Sequence, residues 1–489
     1  MCGVVGIFGE QNVAQELYRG VKALQHRGQS SSGFITYDGN IYPRKNAGFV
    51  DELMRGYKDE ADLEKDHPGP IGIGHTRYST YGSDTWDALR KNAQPEYIIN
   101  PFIASCHNGN IINGRQIIEK YNRTPRTECD IQYLLLPMGS ELPQFSKINF
   151  DTVVEAGERV MELVKGSYSV LYLTAGKKEP YLMAMTDPHK IRPLVVGRKD
   201  TTWYLASESA VLTRLGVDEF QDVPGGTILS VDPKEDKPLM KRVQKKREYQ
   251  CMFEFIYFAD PSSYIGGRSV HQVRVEIGKQ LGFKTAPDAD IVVPVPESGR
   301  RYAIGFSMAS GIPIEEGLKK DQKHRAFILQ TQEQRDKKAK DNMTAIKAAL
   351  DGKNVVLTDD SLVRGTNIKR VIEKVRDAGA RKVHVRIGCP PLVAPCYLGI
   401  DMRSKREFVA IDQEKNEIRS SDEIAKIIGA DSLAYGDIKM LRKSILKGCG
   451  DCDLCMGCIN FPGGYPDDMQ ETVTEFLEKD KLGIRAYEC

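Results

Sequence analysis

VVLTDDSLVRGTN, residues 355–367, sets an apolar strand directly before two adjacent acids and then a Gly- and Thr-containing turn that opens a helix. Backbone N–H groups at such a turn, backed by the dipole of the following helix, can cradle a phosphate. The two acids can hold sugar hydroxyls beside Mg²⁺, which takes oxygen ligands. An acidic strand end before an ordinary helix is common for a bare pair of acids, but much less so for the whole pattern. Outward from this stretch, ADIVVPVP (289–296) and RKVHVRIG (381–388) are further continuous apolar runs, and helical stretches at 267–282 and 366–379 alternate with them. That alternation predicts a doubly wound parallel sheet, an α/β domain, over 250–420.

The pattern changes upstream. GVVGIF (3–8) suits a buried strand, and short β-type runs recur as IGIGHTRY, FIASCHNGNIIN, SYSVLYLTA, YLMAMTD, PLVVGR and WYLASES. Helical periodicity is confined to a few stretches such as 152–165. Strands gathered this way predict an α+β sandwich over 2–232. The polar, basic stretch 233–249 (PKEDKPLMKRVQKKREY) reads as an exposed linker, and 421–489 as a mixed helical and cysteine-rich tail.

At 489 residues the chain is too long for one ordinary core, in keeping with two or three domains. Lys plus Arg number 69 against 67 Asp plus Glu, a net charge of +2 that offers no field for nucleic acid or an anionic membrane. No window is apolar for the eighteen or so residues that a bilayer span needs. MCGVVGIFGEQ lacks the basic region of a signal peptide. A cytoplasmic protein is expected. Cys449, Cys452, Cys455 and Cys458 recur at three-residue intervals. In such a chain this reads as metal binding rather than disulfides.

Cys2 follows Met1 directly, and removal of Met1 would put a thiol and a free α-amine on one residue. An α-amine of ordinary pKa, about 7.7–8.0, is a local base at neutral pH. Cys at position 2 is by itself a weak signal. GVVGIFG, QHRGQSSSGF, GHTRYSTYG, NAQP and HNGNIIN, in that order, change its weight. Together they resemble the glutaminase domain shared by amidophosphoribosyltransferase, glucosamine-6-phosphate synthase, glutamate synthase and asparagine synthetase. The resemblance implies an Ntn-hydrolase αββα fold and hydrolysis of glutamine. It implies Cys2 as nucleophile, with Asn108 and Gly109 as oxyanion-hole donors. Arg77 would pair with the glutamine carboxylate and Asp130 with its ammonium, while Arg27 and His107 support the site.

VVLTDDSLVRGTN in turn resembles the phosphoribosyl pyrophosphate (PRPP) loop of type I phosphoribosyltransferases. Carried over, Asp359 and Asp360 bind the ribose and Mg²⁺, and Ser361, Leu362, Val363, Arg364, Gly365 and Thr366 surround the 5′-phosphate. Ser298, in VPVPESG, stands near the metal. A glutaminase first and a PRPP loop second, joined by SESAVLTRLGV and CMFEFIYFADPSS, is the order of the amidophosphoribosyltransferase family. DPHKIRPLVVG and the terminal GYP agree with it. The family implies transfer of ammonia from glutamine to PRPP, giving 5-phosphoribosylamine, glutamate and pyrophosphate in the first step of purine synthesis. It further implies purine nucleotides as inhibitors and a homo-oligomer, dimer or tetramer. Departures cluster at 319–347. KKDQKHRAFI and KAKDNMTAI stand where the family carries Lys-Asn-Arg-Tyr and Arg-x-Lys-Leu-Asn elements, and Lys319, Arg325 and Arg335 are candidate substitutes. RGTN replaces RGTT and FADPSS replaces FARPDS. A regulator that senses PRPP or a nucleotide, or an amidotransferase with another phosphosugar acceptor, is the alternative function.

In one branch of the family a CxxC before a Gly-x-Tyr-Pro element joins two distant cysteines around a [4Fe–4S] cluster. Here the set would be Cys251, Cys396, Cys455 and Cys458, with Cys449 and Cys452 as outer neighbours. Two other readings stand beside it. The four tail cysteines can hold a cluster as a ferredoxin-like run, or four thiolates can bind structural zinc. Cys106 and Cys129 read as buried thiols, while Cys389 and Cys489 carry no assignment.

Overall fold

The N-terminal half is built around the strand that follows the candidate nucleophile. In the computed structural model, which describes residues 1–79, 85–143, 147–176, 179–320, 343–402 and 404–480, Gly3–Phe8 is buried along its whole length. It lies between antiparallel neighbours Ile71–Arg77 and Thr202–Ala206 in the middle of a seven-stranded sheet. The chain therefore starts inside the fold, with Met1 and Cys2 both buried. A six-stranded sheet containing Ile103–Ile111 and Gly166–Ala175 faces the first. Val4, Ile73, Cys106, Leu171 and Leu182 meet between the two layers. Helices Ala14–Ala23 and Ser209–Arg214 cover one outer face, and Gln132–Glu141 and Phe150–Leu163 cover the other. This is the expected αββα sandwich. The last helix starts two residues before the periodicity at 152–165 because Asn149 and Thr152 form a capping box.

The C-terminal half holds the expected parallel sheet, four-stranded in the order Ile291–Pro294, Asn354–Asp359, Lys382–Ile387 and Ser432–Tyr435. Helices Val270–Thr285, Arg300–Ser310, Thr366–Asp377 and Ser421–Ile428 accompany it. Two sequence expectations take a different form here. Part of the 421–489 tail is integral to this sheet, since Ser432–Tyr435 is its fourth strand. The basic 233–249 stretch is exposed but not free. Leu239–Arg242 pairs with Thr227–Val231 as an edge strand, all four of its residues exposed. Edge pairing uses backbone groups and needs no apolar face, so the hydrophobic pattern carries no sign of it; Lys241 and Arg242 suit an edge that must not recruit further strands. Glu248–Cys251 then pairs in parallel with Cys452–Cys455. Among the described residues no helix is long and apolar enough to cross a membrane.

One ion pair fastens the tail to the sandwich. His189 Nε2 lies 2.9 Å from an Asp468 carboxylate oxygen, and Nδ1 lies 2.9 Å from the Arg247 carbonyl. With acceptors on both ring nitrogens the imidazolium form fits best. Burial opposes the charge, yet the bond to Asp468 prevails and raises the His189 pKa. The same bond holds the Asp468 carboxyl well below its ordinary range. A raised histidine contributes stability that is full below its unfolded value of 6.5 and is lost as pH rises through the folded value. A depressed carboxylate contributes above about 4 and loses it on acidification. The pair is thus worth most between about pH 4 and 6.5, and its stabilisation fades as pH rises through the raised folded value. Asp468→Asn is expected to cost about 1 kcal/mol in denaturant unfolding at pH 6, an amount discounted for the exposure of Asp468, and clearly less at pH 9. An equal loss at both pH values would show that the imidazolium is not involved.

Candidate active sites

Because Gly3–Phe8 ends its sheet registry beside Thr76, the residue before it emerges next to the end of Ile71–Arg77. Cys2 sits there, its thiol 3.8 Å from the Tyr78 carbonyl and its own carbonyl accepting from Arg27 Nε at 2.8 Å. Asn108, from the facing sheet, binds the same residue. Turned so that both amide atoms are satisfied, it donates to the Cys2 carbonyl at 3.1 Å and accepts from Arg27 at 3.2 Å. Gly109 follows, and no side chain fits there because a Cβ would run into the Ser167 carbonyl. The α-amine, carried here by Met1, is pushed down to about 6 by complete burial, with Arg192 and Arg27 adding to the effect. The pocket at the chain start thus favours an uncharged amine at neutral pH.

Arg77 and Asp130 are buried close to this thiol. Burial raises the cost of the Asp130 carboxylate, but His107 at 3.1 Å, the Ile111 N–H at 3.3 Å and Arg77 outweigh it and hold the carboxyl below its ordinary range. Burial likewise opposes the Arg77 charge, and Cys129, Cys2 and Asp130 raise its pKa. A positive and a negative group buried within reach of each other can match the two charges of an α-amino acid. Gln94, from the NAQP motif, organises the wall by accepting from the His107 N–H at 2.8 Å and donating to Cys129 Sγ at 3.3 Å.

Arg27 is wholly buried and is matched by two carboxylates. Glu208 accepts from it, and Glu254 accepts two bonds at 2.9 and 2.8 Å. Glu208 also accepts from His26 at 2.9 Å, the Asp260 N–H at 2.8 Å and Ser263 Oγ at 2.9 Å. Burial works against its charge, but His26 and Arg27 hold the Glu208 carboxyl far below the usual range. Glu208 belongs to the sandwich half and Glu254, Asp260 and Ser263 to the half that follows. The sequence reading missed Glu208 and Glu254, although both stand in the connecting motifs SESAVLTRLGV and CMFEFIYFADPSS; their signal was a charge embedded in an apolar run.

The second site forms at the C-terminal edge of the parallel sheet, where ligands bind in such folds. Asp359 ends its strand, accepting from Ser298 Oγ at 3.0 Å and from the Asp360 N–H at 2.9 Å. Burial and the adjacent Asp360 push the Asp359 carboxyl well above its usual range. A dication placed there would relieve that repulsion, so the donor set suits Mg²⁺. Ser361 bonds to Asp360, and Leu362 and Val363 lead to Gly365, whose φ of 76° admits glycine readily and starts the helix at Thr366. The Arg364 guanidinium is engaged by Glu407, leaving the loop backbone as the nearer donor for a phosphate. Sequence reading also missed Tyr257. This half-exposed residue has its phenol pushed up to about 12 by the partial burial of its ring and by the nearby charges of Asp360 and Asp359. Lys319 lies in a short ribbon, Leu318–Lys320 against Met343–Ala345, while Arg325, Arg335 and Cys489 fall outside the described residues.

Parallel pairing sets Cys251 directly opposite Cys455. Cys458 accepts through its carbonyl from Val393 and Ala394, just before Cys396. Burial, with Cys396, Cys389, Cys251 and Cys455 as neighbours, raises the Cys458 thiol well above its ordinary range. Cys449 and Cys452 are joined to each other as a disulfide. Among the described residues no three His, Cys, Asp or Glu groups stand close enough to ligate one metal ion.

Known proteins share this arrangement from end to end. The chain is 38% identical to the amidophosphoribosyltransferase of Methanothermobacter thermautotrophicus, covering 97% of this chain and 96% of that one. It is 34% identical to the Escherichia coli amidophosphoribosyltransferase over 98% and 95%. A solved structure of Bacillus subtilis glutamine PRPP amidotransferase, complexed with ADP and GMP, superposes with a TM-score of 0.80 at 31% identity, covering 95% of this chain and 97% of that one. No family model matches the sequence.

Removing one partner of a buried ion pair leaves an uncompensated charge, at a cost of about 3–5 kcal/mol. Glu208→Ala is expected to lower unfolding free energy by that amount. Glu60→Ala, which breaks an exposed pair with Arg19, should cost less than about 1 kcal/mol in the same assay. Comparable losses would mean that the Arg27 cluster carries no special weight.

Proposed function

The chain belongs to the amidophosphoribosyltransferase family, and from that we propose that Cys2, Asn108 and Gly109 form its glutaminase centre and Asp359 to Thr366 its PRPP site. Cys2 attacks the side-chain amide of glutamine, whose α-carboxylate pairs with Arg77 and whose ammonium pairs with Asp130. The carbonyl oxygen becomes an oxyanion that the Asn108 side-chain amide and the Gly109 N–H would stabilise. Ammonia leaves, and water releases glutamate from the thioester. Ammonia then bonds to C1 of PRPP as pyrophosphate departs, giving 5-phosphoribosylamine. Ser298, Asp359 and Asp360 would hold Mg²⁺, which when bound neutralises pyrophosphate charge. The observation that carries this reading is the junction of two chemistries. Arg27, bonded to the nucleophile, is clamped by Glu254, which starts the short helix Glu254–Phe258 that also carries Tyr257, a phenol within electrostatic reach of the paired acids.

The same reading assigns Cys251, Cys396, Cys455 and Cys458 to a [4Fe–4S] cluster, supported by the Cys251–Cys455 register and by the separate pairing of Cys449 with Cys452. Such a cluster is structural, with no electron transfer required in the reaction. Purine nucleotides are assigned as inhibitors, supported by a relative solved with ADP and GMP. The enzyme is assigned to the cytoplasm as a homo-oligomer.

After anaerobic purification, glutamate and pyrophosphate are expected in equal amounts from glutamine and Mg²⁺–PRPP. Cys2→Ala should abolish the glutamine-dependent reaction and leave ammonia-dependent pyrophosphate release intact, whereas Asp360→Asn should abolish both. Glutamate without PRPP consumption would mean that the altered 319–347 segment serves another phosphosugar. For the cluster, Cys396→Ser should remove the iron and acid-labile sulfide found in the wild type; zinc without sulfide in the wild type would overturn that assignment.

A further inference from the structure

The loop from Cys396 to Met402 belongs to the phosphoribosyltransferase half, yet its tip is seated against the glutaminase centre. The Cys396 N–H donates to the Met402 carbonyl at 3.1 Å and closes the loop at its base. At the tip, the Tyr397 carbonyl accepts from Asn110 Nδ2 at 2.8 Å. The Leu398 carbonyl accepts from Ser167 Oγ at 2.7 Å and from the Arg192 guanidinium. Asn110 and Ser167 are cross-strand partners, next to the Gly109–Tyr168 pair. Gly399 then lies against Gly109 itself. A Cβ on Gly399 would come within 3.0 Å of the Gly109 carbonyl carbon, its oxygen and Arg192, and the φ of 103° already favours glycine.

We propose that Tyr397, Leu398 and Gly399 are positioning residues for glutamine hydrolysis, bracing the Asn108–Gly109 backbone from the other half of the molecule. The inference rests on the reading of Asn108 and Gly109 as the oxyanion hole. An N–H donor stabilises an oxyanion only when its direction is fixed in advance. Gly109 has no side chain with which to fix itself. Gly109 is paired with Tyr168 in the ladder, and its carbonyl, on the peptide that follows the N–H donor, lies against Gly399. Asn110 and Ser167 fasten that contact from both strands of the ladder. Because the loop belongs to the half that binds PRPP, a shift between the halves moves the donor and retunes the glutaminase without touching Cys2.

The test uses the full-length enzyme with Mg²⁺–PRPP. Gly399→Ala is expected to lower kcat for glutamine hydrolysis by about 10²-fold, the scale of losing one oxyanion donor, with the KM for glutamine little changed. Ser167→Ala, which removes one bond without backbone strain, should lose about threefold to tenfold. Ammonia-dependent pyrophosphate release should be unaffected in both. Alkylation of Cys2 by iodoacetamide passes through no oxyanion, so its rate should also stay at the wild-type value, which a general disturbance of the pocket would not allow. Asn108→Ala is the control for the underlying reading. If it abolishes glutamine hydrolysis while Gly399→Ala and Ser167→Ala do not lower it, the bracing role is wrong and the oxyanion hole stands. If Asn108→Ala is itself harmless, the oxyanion assignment fails and the inference with it. Loss of ammonia-dependent activity and of Cys2 alkylation in both loop-contact variants would reduce the loop to a folding element and overturn the proposal.

Discussion

A guanidinium taken wholly out of water has to be matched, because its desolvation costs several kcal/mol that only close opposite charge returns. Arg27 is in that position, and its two carboxylates come from different halves of the chain. Glu208 follows the strand Thr202–Ala206 and Glu254 follows Glu248–Cys251, so the charge balance closes only when the halves are docked. Arg27 also donates to the Cys2 carbonyl. Docking, burial of the chain start and placement of the nucleophile are therefore one electrostatic condition rather than three. Glu208 spreads the condition further, since its second oxygen receives Asp260 and Ser263.

The segment from Cys251 to Ser263 gains its importance from this condition. One end carries a cysteine facing Cys455, its middle carries Glu254, and Tyr257 faces the paired acids. Met252, Phe253, Phe255 and Ile256 are buried between these polar positions. Arg274 holds the backbone by donating to the Phe255 and Ala259 carbonyls at 2.7 and 2.8 Å, and Tyr302 donates to the Ile256 carbonyl at 3.0 Å. Such a stretch is rigid at its carbonyls and apolar at its side chains.

Much of this was legible in the sequence, for physical reasons that differ by element. The parallel strands read clearly because their cores are apolar and buried, as Val355, Val356 and Leu357 in one and Val383, Val385 and Ile387 in the next. Cys2, Arg77, Asn108, Asp130 and the DDSLVRGT loop were found as motifs; in the structure Asn108 is bonded to Cys2, and Arg77 interacts with Cys2 and Asp130. The Leu239–Arg242 edge strand escaped notice because its side chains are all exposed and only its backbone is paired. Ser432–Tyr435 was read as tail because four residues carry too little periodicity to declare a strand. Glu208 and Glu254 were seen only as letters within motifs. A carboxylate in an apolar run announces a buried partner, but nothing local says that the partner is Arg27, some two hundred residues away.

Cys396 ties the cysteine site to the glutaminase by geometry alone. It is the first residue of the loop whose tip meets Gly109, and its N–H closes that loop. Tyr465, just beyond Cys458, secures the same base: its hydroxyl accepts from the Tyr397 N–H at 3.3 Å and donates to the Pro395 carbonyl at 3.2 Å. Burial, with Cys251 and Cys396 beside it, raises the Cys455 thiol well above its ordinary range, so a metal centre held there would have to displace that proton. A group with no redox duty can then still matter to glutamine hydrolysis. Held in part by Cys396, it would fix the base of the loop whose Tyr397 and Leu398 carbonyls meet Asn110 and Ser167.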